Sequence, residues 1–154
     1  MKHKELLICF FCMIFFACRN NKNPYENNLG IKPEHLAEID TAHYTMIKWR
    51  DTLINFGTIS SHDSVILKFQ FTNVGKTLLF VFNSRTTCGC TITGTPKDPV
   101  MPGDSAFINV TFKSSNETGA INKRIVVVTN TKNGHYSNLI IRGMVVQPGK
   151  KTDS

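Results

Sequence analysis

The sequence predicts an all-β sandwich of about seven antiparallel strands over residues 46–147, preceded by an export signal and a short linker with a helical stretch. Three observations predict it. From Trp49 onward apolar residues recur with a period of two, the spacing of a half-buried strand. Clusters of Gly, Pro and Asn cut roughly 95 residues into about seven short runs, the pattern of a sandwich. With 154 residues, 41% of them hydrophobic and 19% charged, the chain has enough apolar surface for one core and too little length for two comfortable ones. The Cys…Trp…Cys spacing of antibody domains is absent, so the sandwich is Ig-like in architecture only.

The N-terminus reads as an export signal. Met1-Lys2-His3-Lys4-Glu5 supplies a positive start, and Leu6 to Phe16 form an uncharged apolar run of eleven residues. As a helix that run spans about 16 Å, roughly half a bilayer core, which suits a signal peptide and not a membrane span. Ala17 then precedes Cys18, and Arg19-Asn20-Asn21-Lys22-Asn23-Pro24 is polar. This arrangement resembles a lipobox, in which the cysteine is thioether-linked to diacylglycerol, although Phe15 and Phe16 depart from its usual preceding residues. The expectation is therefore cleavage after residue 17, a lipid anchor on Cys18, and a position in the cell envelope. The periplasmic side is the first choice and surface display the second. Two or three acyl chains would hold such a protein permanently, where one alone would not.

Residues 18–45 are expected to be tether and linker. Their first part, rich in Asn and Lys with Pro24 and Gly30, cannot bury a core. After Pro33-Glu34-His35, the residues Leu36, Ile39, Ala42 or His43, and Ile47 recur at helical spacing, which predicts a short helix.

The strands follow in order. Leu53–Ile59 is the first, and Val65, Leu67, Phe69 and Phe71 are the inward residues of the next. Asn73-Val74-Gly75-Lys76 reads as a turn, with Thr77–Asn83 as the returning strand. Cys88–Thr93 comes next. Then Ala106, Ile108, Val110 and Phe112 alternate with polar neighbours after the turn Met101-Pro102-Gly103-Asp104. Lys123–Asn130 and the run containing Leu139, Ile141 and Val145 flank Asn133-Gly134, a strong hairpin signal. Residues 148–154 are a polar tail.

Charge excludes little by itself. The chain carries +7, and +6 once Lys2, Lys4 and Glu5 leave with residues 1–17. The cations are scattered between Lys32 and Arg142 without a run or interleaved aromatics, so nucleic acid is not an expected partner. His35, His43 and His62 lack metal-ligand spacing with any second donor and read as surface residues. No Ser/His/Asp spacing, paired carboxylates, phosphate loop or HExxH motif is present. Asn116-Glu117-Thr118 fits a glycosylation acceptor, a coincidence in an exported bacterial chain. Asp51 and Thr52 read as turn residues.

Several motifs together resemble a large bacterial family of unknown function, DUF1573. They are Trp49-x-Asp51-Thr52, Phe56-Gly57-x-Ile59, Phe69-x-Phe71-x-Asn73-x-Gly75, Thr87-Cys88-Gly89-Cys90-Thr91, Pro102-Gly103 and Ile141-x-Gly143-x-Val145. The resemblance covers roughly residues 46–146. It departs at Thr87, where Ser is common, and lacks the usual Pro after Thr91. It implies an exported protein, often a lipoprotein, with an Ig-like domain similar to the ASH and MSP-type group. It implies no catalytic activity and no cofactor.

Cys9 and Cys12 leave with the signal and Cys18 is the lipid site, so Cys88 and Cys90 are the thiols of the folded domain. In a strand, residues two apart face the same side with Cα atoms about 6.6 Å apart, near the upper limit for bridging. Gly89 gives the backbone freedom to close the pair. Three chemistries fit: a strained local disulfide or reduced pair that shapes the strand, a thiol-exchange site with Arg85 as the nearest cation, and a soft-metal site. Two sulfurs suffice for linear Cu(I), whereas tetrahedral Zn needs two more ligands. The leading functional expectation is a non-enzymatic binding or assembly module, membrane-attached through Cys18, that meets an envelope protein partner by loops or strand addition. The alternative is a periplasmic thiol-redox or copper-handling protein using Cys88 and Cys90.

Overall fold

The computed structural model describes residues 41–86, 90–132 and 134–147. The expected export signal, Cys18, residues 33–40 of the expected helix, and the tail from residue 148 lie outside the described residues. The rest of that helix is corrected. Thr41–His43 is a single 3-10 turn, and Ile47 opens a strand, β1 (Ile47–Trp49). Ile47 and Trp49 also satisfy a period of two. Pairing with Asn73 and Phe71 packs them against the core, which outweighs four apolar residues at loose helical spacing.

Seven further strands follow: β2 (Leu53–Ser60), β3 (Ser64–Asn73), β4 (Val81–Thr86), β5 (Cys90–Gly94), β6 (Ser105–Lys113), β7 (Gly119–Thr129) and β8 (Tyr136–Val146). They form two four-stranded sheets, β1-β3-β6-β5 and β2-β8-β7-β4. The all-β sandwich is as expected, with β1 a further strand that the count of about seven did not include.

Two pairings differ from expectation. Residues 77–83 do not return beside β3. Both neighbours of β3 are already β1 and β6, so the chain leaves that sheet, bridges Leu79 to Val100, and pairs as β4 with β7. Nor are all the pairings antiparallel. The chain crosses between sheets at residues 50–52 without reversing, so β2 runs parallel to β8 from Leu53 beside Ile140 to Ser60 beside Val146. On the opposite flank β4 and β5 are likewise consecutive edge strands in different sheets, but there the direction reverses, with β4 antiparallel to β7 and β5 antiparallel to β6.

Alternation fixes which residues fill the space between the sheets. Phe69, Phe71, Ile108, Val110 and Phe112 enter it from one sheet, and Ile125, Val127, Leu139, Ile141 and Val145 from the other. Each fully buried side chain of this kind contributes about 1.5–3 kcal/mol of transfer free energy. The outward neighbours Ile66 and Phe107 stay exposed. Aromatic residues close the β1/β2 flank. Trp49 packs on Phe71 with ring centroids 5.1 Å apart, and its indole N–H donates to Ser137 Oγ of the other sheet at 3.0 Å. Phe56 packs on Phe112 at 5.3 Å and fills the place of the missing Gly143 side chain.

Strand directions give the sandwich two ends. At the near end the described chain begins, and the β3–β4 and β5–β6 connections and the β7–β8 turn lie there. The β2–β3 and β6–β7 loops and Val146 lie at the far end.

Candidate functional site

Of the residues singled out from the sequence, Cys18 and Cys88 lie outside the described residues. Cys90 opens the edge strand β5, in register with Phe112 near the far end of β6. The structure therefore puts the second cysteine on a strand that follows a crossing between the sheets. His43 and His62 are exposed, and Asp51 sits beside Arg50 at 3.7 Å on the surface. Thr52 offers its carbonyl to the Ile140 N–H at 2.8 Å, which starts the parallel β2–β8 pairing.

The most developed polar arrangement is at the near end, and sequence reasoning missed it. Asn73, at the end of β3, is fully buried. Its amide nitrogen donates to the carbonyls of Thr77 at 2.8 Å and Val100 at 2.9 Å. Its amide oxygen accepts from Thr45 Oγ1 at 2.7 Å and from the Gly75 N–H at 3.1 Å. Asn130, just after β7, repeats the device. It donates to the carbonyls of His43 at 2.7 Å and Leu78 at 2.9 Å, and accepts from the Phe80 N–H at 2.8 Å. The Thr45 N–H donates to the Asn130 carbonyl at 3.0 Å, and Thr77 Oγ1 donates to the Tyr44 carbonyl at 2.8 Å. A primary amide can serve several partners at once, so two side chains tie residues 43–45 to three different connections. Buried polar groups satisfied in this way stabilise, whereas the same groups left without partners would cost several kcal/mol. The available signal was Asn73-x-Gly75 directly after a strand of alternating Phe, read there as an ordinary turn.

The family model described as "Protein of unknown function (DUF1573)" matches residues 47–145. The chain belongs to the DUF1573 family. No curated protein sequence matches it. Among solved structures, a protein of unknown function from Porphyromonas gingivalis W83 is similar at 15% identity, with a TM-score of 0.58 over 67% of this chain and 48% of that one. The ASH/PapD-like domain 7 of human CEP192 is similar at 12% identity, with a TM-score of 0.52 over 68% of this chain and 87% of the other. Part of the Vibrio cholerae VesB protease is similar at 13% identity, with a TM-score of 0.54 over 73% of this chain and 35% of that one. The chain thus spans about half of the Porphyromonas protein and a third of the protease. At these identities the likeness is one of fold.

The residues that carry the DUF1573 pattern have visible structural work. Phe69 and Phe71 are core, and Asn73 is the near-end hub. A side chain at Gly75 would run into Thr45, and one at Gly143 into the Phe56 ring. Gly103, at φ +87°, turns its N–H to the Asn73 carbonyl at 2.8 Å. Trp49 and Ile141 belong to the closed flank and the core. Two concave places adjoin these elements. An apolar cavity of about 310 Å³ at the near end is lined by His43, Thr77, Leu78, Phe80 and Pro102. A shallow groove of about 460 Å³ on the outer face of β2, β8 and β7 is lined by Asn55, Asn122, Arg142 and Met144. Among the described residues no group of three or more His, Cys, Asp or Glu could hold a metal, and no helix is long and apolar enough to cross a membrane.

Proposed function

We propose that this DUF1573 protein is a non-enzymatic binding or assembly module of the cell envelope, held to a membrane through a lipid on Cys18 and displaying its sandwich to a protein partner. The observation that carries this reading is the near-end network. Asn73 and Asn130 grip residues 43–45, the last of the linker, so a pull on the tether is transmitted into the sandwich end instead of peeling a strand from an edge. That is a mounting. It leaves both sheet faces and the far end directed away from the point of attachment. The fold class supports the reading by analogy only, since similar sandwiches host unrelated activities. The polar segment after Cys18 and the short apolar run before it support the anchor.

The test has two parts. Metabolic labelling with a palmitate analogue should mark the wild-type protein and fail to mark Cys18→Ala, with the variant shifting from membrane to soluble fractions. Label that survives the substitution removes the anchor from the reading. Cross-linking in cells, followed by affinity capture, should then return one reproducible envelope protein.

A second reading is thiol exchange or Cu(I) handling by Cys88 and Cys90. The observation favouring it is that Cys90 opens an edge strand at a sheet-to-sheet crossing, where its backbone pairs on one side only. Intact-mass analysis after alkylation, with and without reductant and Cu(I), decides it. A pair that stays oxidised and takes no copper, in cells indifferent to Cys→Ser at both positions, ends this alternative.

A further inference from the structure

Charge is not spread evenly over the sandwich. None of the eight strands carries an Asp or Glu: Asp51, Asp63, Asp98, Asp104 and Glu117 all lie in connections. Strand preference alone does not select the sign, since Lys is disfavoured in strands much as Glu is. The exposed cations of the strands are also sorted by sheet. Lys48, Lys68 and Lys113 lie on the outer face of β1-β3-β6-β5, and Arg85, Arg124 and Arg142 on the outer face of β2-β8-β7-β4.

Register sets the arginines in a line. Arg85 pairs with Val126, two residues along β7 from Arg124, and Arg124 pairs with Ile140, two residues along β8 from Arg142. Diagonal neighbours of this kind have Cα atoms about 7–8 Å apart, so the three arginine positions step across β4, β7 and β8 at regular intervals. At the end of the line Arg142 is flanked by Asn122 on β7 and Asn55 on β2, and these three residues line the shallow groove. Guanidinium takes a carboxylate through two parallel N–H bonds, and a primary amide donates as well, whereas an ammonium offers only a compact charge. Alternate side chains of an extended peptide fall about 6.6–6.8 Å apart, which matches the step of the arginines.

We propose that the outer face of β2-β8-β7-β4 binds an extended acidic segment of a partner protein, with Arg85, Arg124 and Arg142 each taking a carboxylate and Asn55 and Asn122 extending the row. This rests on the binding-module reading and names its face and the chemistry of its partner. The described chain enters at the near end, whereas this face lies along the length of the strands. Single exposed ion pairs are weak and screened by salt, so the row acts through its number and spacing.

The test uses the full chain in detergent and an immobilised peptide alternating Glu and Thr. A peptide with its Glu residues consecutive serves as the spacing control, and phosphatidylglycerol vesicles as the membrane control. Wild type is expected to bind the alternating peptide best and to lose it as salt rises. The triple change Arg85→Gln, Arg124→Gln and Arg142→Gln should raise Kd at least about tenfold. Lys48→Gln, Lys68→Gln and Lys113→Gln, the same change in net charge on the other face, should raise it less than about threefold. Arg→Lys at the three sites should restore only part of the binding. Equal losses from both Gln triples overturn the proposal, as does an Arg-dependent preference for the vesicles over the peptide, or no binding of the peptide at low salt. A cellular partner whose capture survives the arginine triple overturns this face while leaving the binding-module reading in place. Unchanged urea midpoints for both triples exclude unfolding as the cause.

Discussion

The two ends of the sandwich solve the same problem with different means. At the near end, Asn73 and Asn130 satisfy connections from several strands with side-chain amides, and among the described residues there only glycines have positive φ. At the far end, one hydroxyl takes the equivalent place. Ser114, fully buried, directs Oγ at the carbonyls of Ser60 (3.0 Å) and Asp63 (2.9 Å). A hydroxyl has a single proton to share between them, whereas an amide has two donors and an acceptor. The backbone supplies the remainder. The His62 N–H donates to the Ser115 carbonyl at 3.0 Å, with φ +71° at His62 and +43° at Ser115. Here two L residues enter the left-handed region at some energetic cost, where the near end uses side-chain amides to bridge its described connections.

The sharpest way to break this comparison is to remove the near-end amide. Asn73→Ala removes four buried hydrogen bonds at once; the Val100 and Thr77 carbonyls keep the Leu79 N–H and Thr45 Oγ1 as donors, so the loss should be about 2–4 kcal/mol. Urea unfolding of the full chain should show a lower midpoint with an unchanged slope. Amide hydrogen exchange at Thr45 and Met46 should accelerate beyond the global change, because these residues are held through Asn73 and Asn130. A cost below about 1 kcal/mol would mean that the near end is held by packing alone. Next in size is Gly143→Ala, which drives a methyl group into the Phe56 ring and should cost about 1–3 kcal/mol. Adding Phe56→Leu should recover part of that loss, a non-additivity that two independent sites would not show.

These two sites also mark how far the sequence could be read. The strands at Val65–Phe71 and Ala106–Phe112 were legible because alternation is local: it reports which residues face the core without reference to any partner. Alternation says nothing about which strand lies alongside. The parallel β2–β8 pairing and the departure of β4 to the other sheet therefore had to come from the three-dimensional arrangement. Ile47 illustrates a second blind spot, since a few apolar residues can fit both a helical period and a period of two. Asn73 was visible as a turn residue, but its partners at Thr45 and Val100 are 28 and 27 residues away, and no local rule reaches that far. The arginine line is of the same kind. Arg85, Arg124 and Arg142 look scattered in sequence and share a face only once β4, β7 and β8 are in register.

At the far end the corresponding deletion should be milder. Ser114→Ala removes one shared hydroxyl proton, and the two carbonyls it served keep backbone donors, the Asp63 N–H on Ser60 and the Ser114 N–H on Asp63, so a loss of about 1–2 kcal/mol is expected from thermal unfolding. A loss as large as that of Asn73→Ala would erase the distinction between the ends.

The smallest expected effect has the opposite sign. His62 is exposed and sits at φ +71°, where an L residue pays for the crowding of its Cβ against the backbone. His62→Gly removes that crowding and keeps the N–H that reaches the Ser115 carbonyl, but it gives the unfolded chain more freedom. Relief of about 1–2 kcal/mol set against an entropy cost of about 0.5–1 kcal/mol leaves a net gain of several tenths of a kcal/mol. His62→Ala keeps the Cβ and should give no gain, so the pair separates backbone strain from loss of the imidazole. A small rise in the urea midpoint for glycine alone locates the strain in the backbone, and equal midpoints for the two variants would show that the far end is not strained at all.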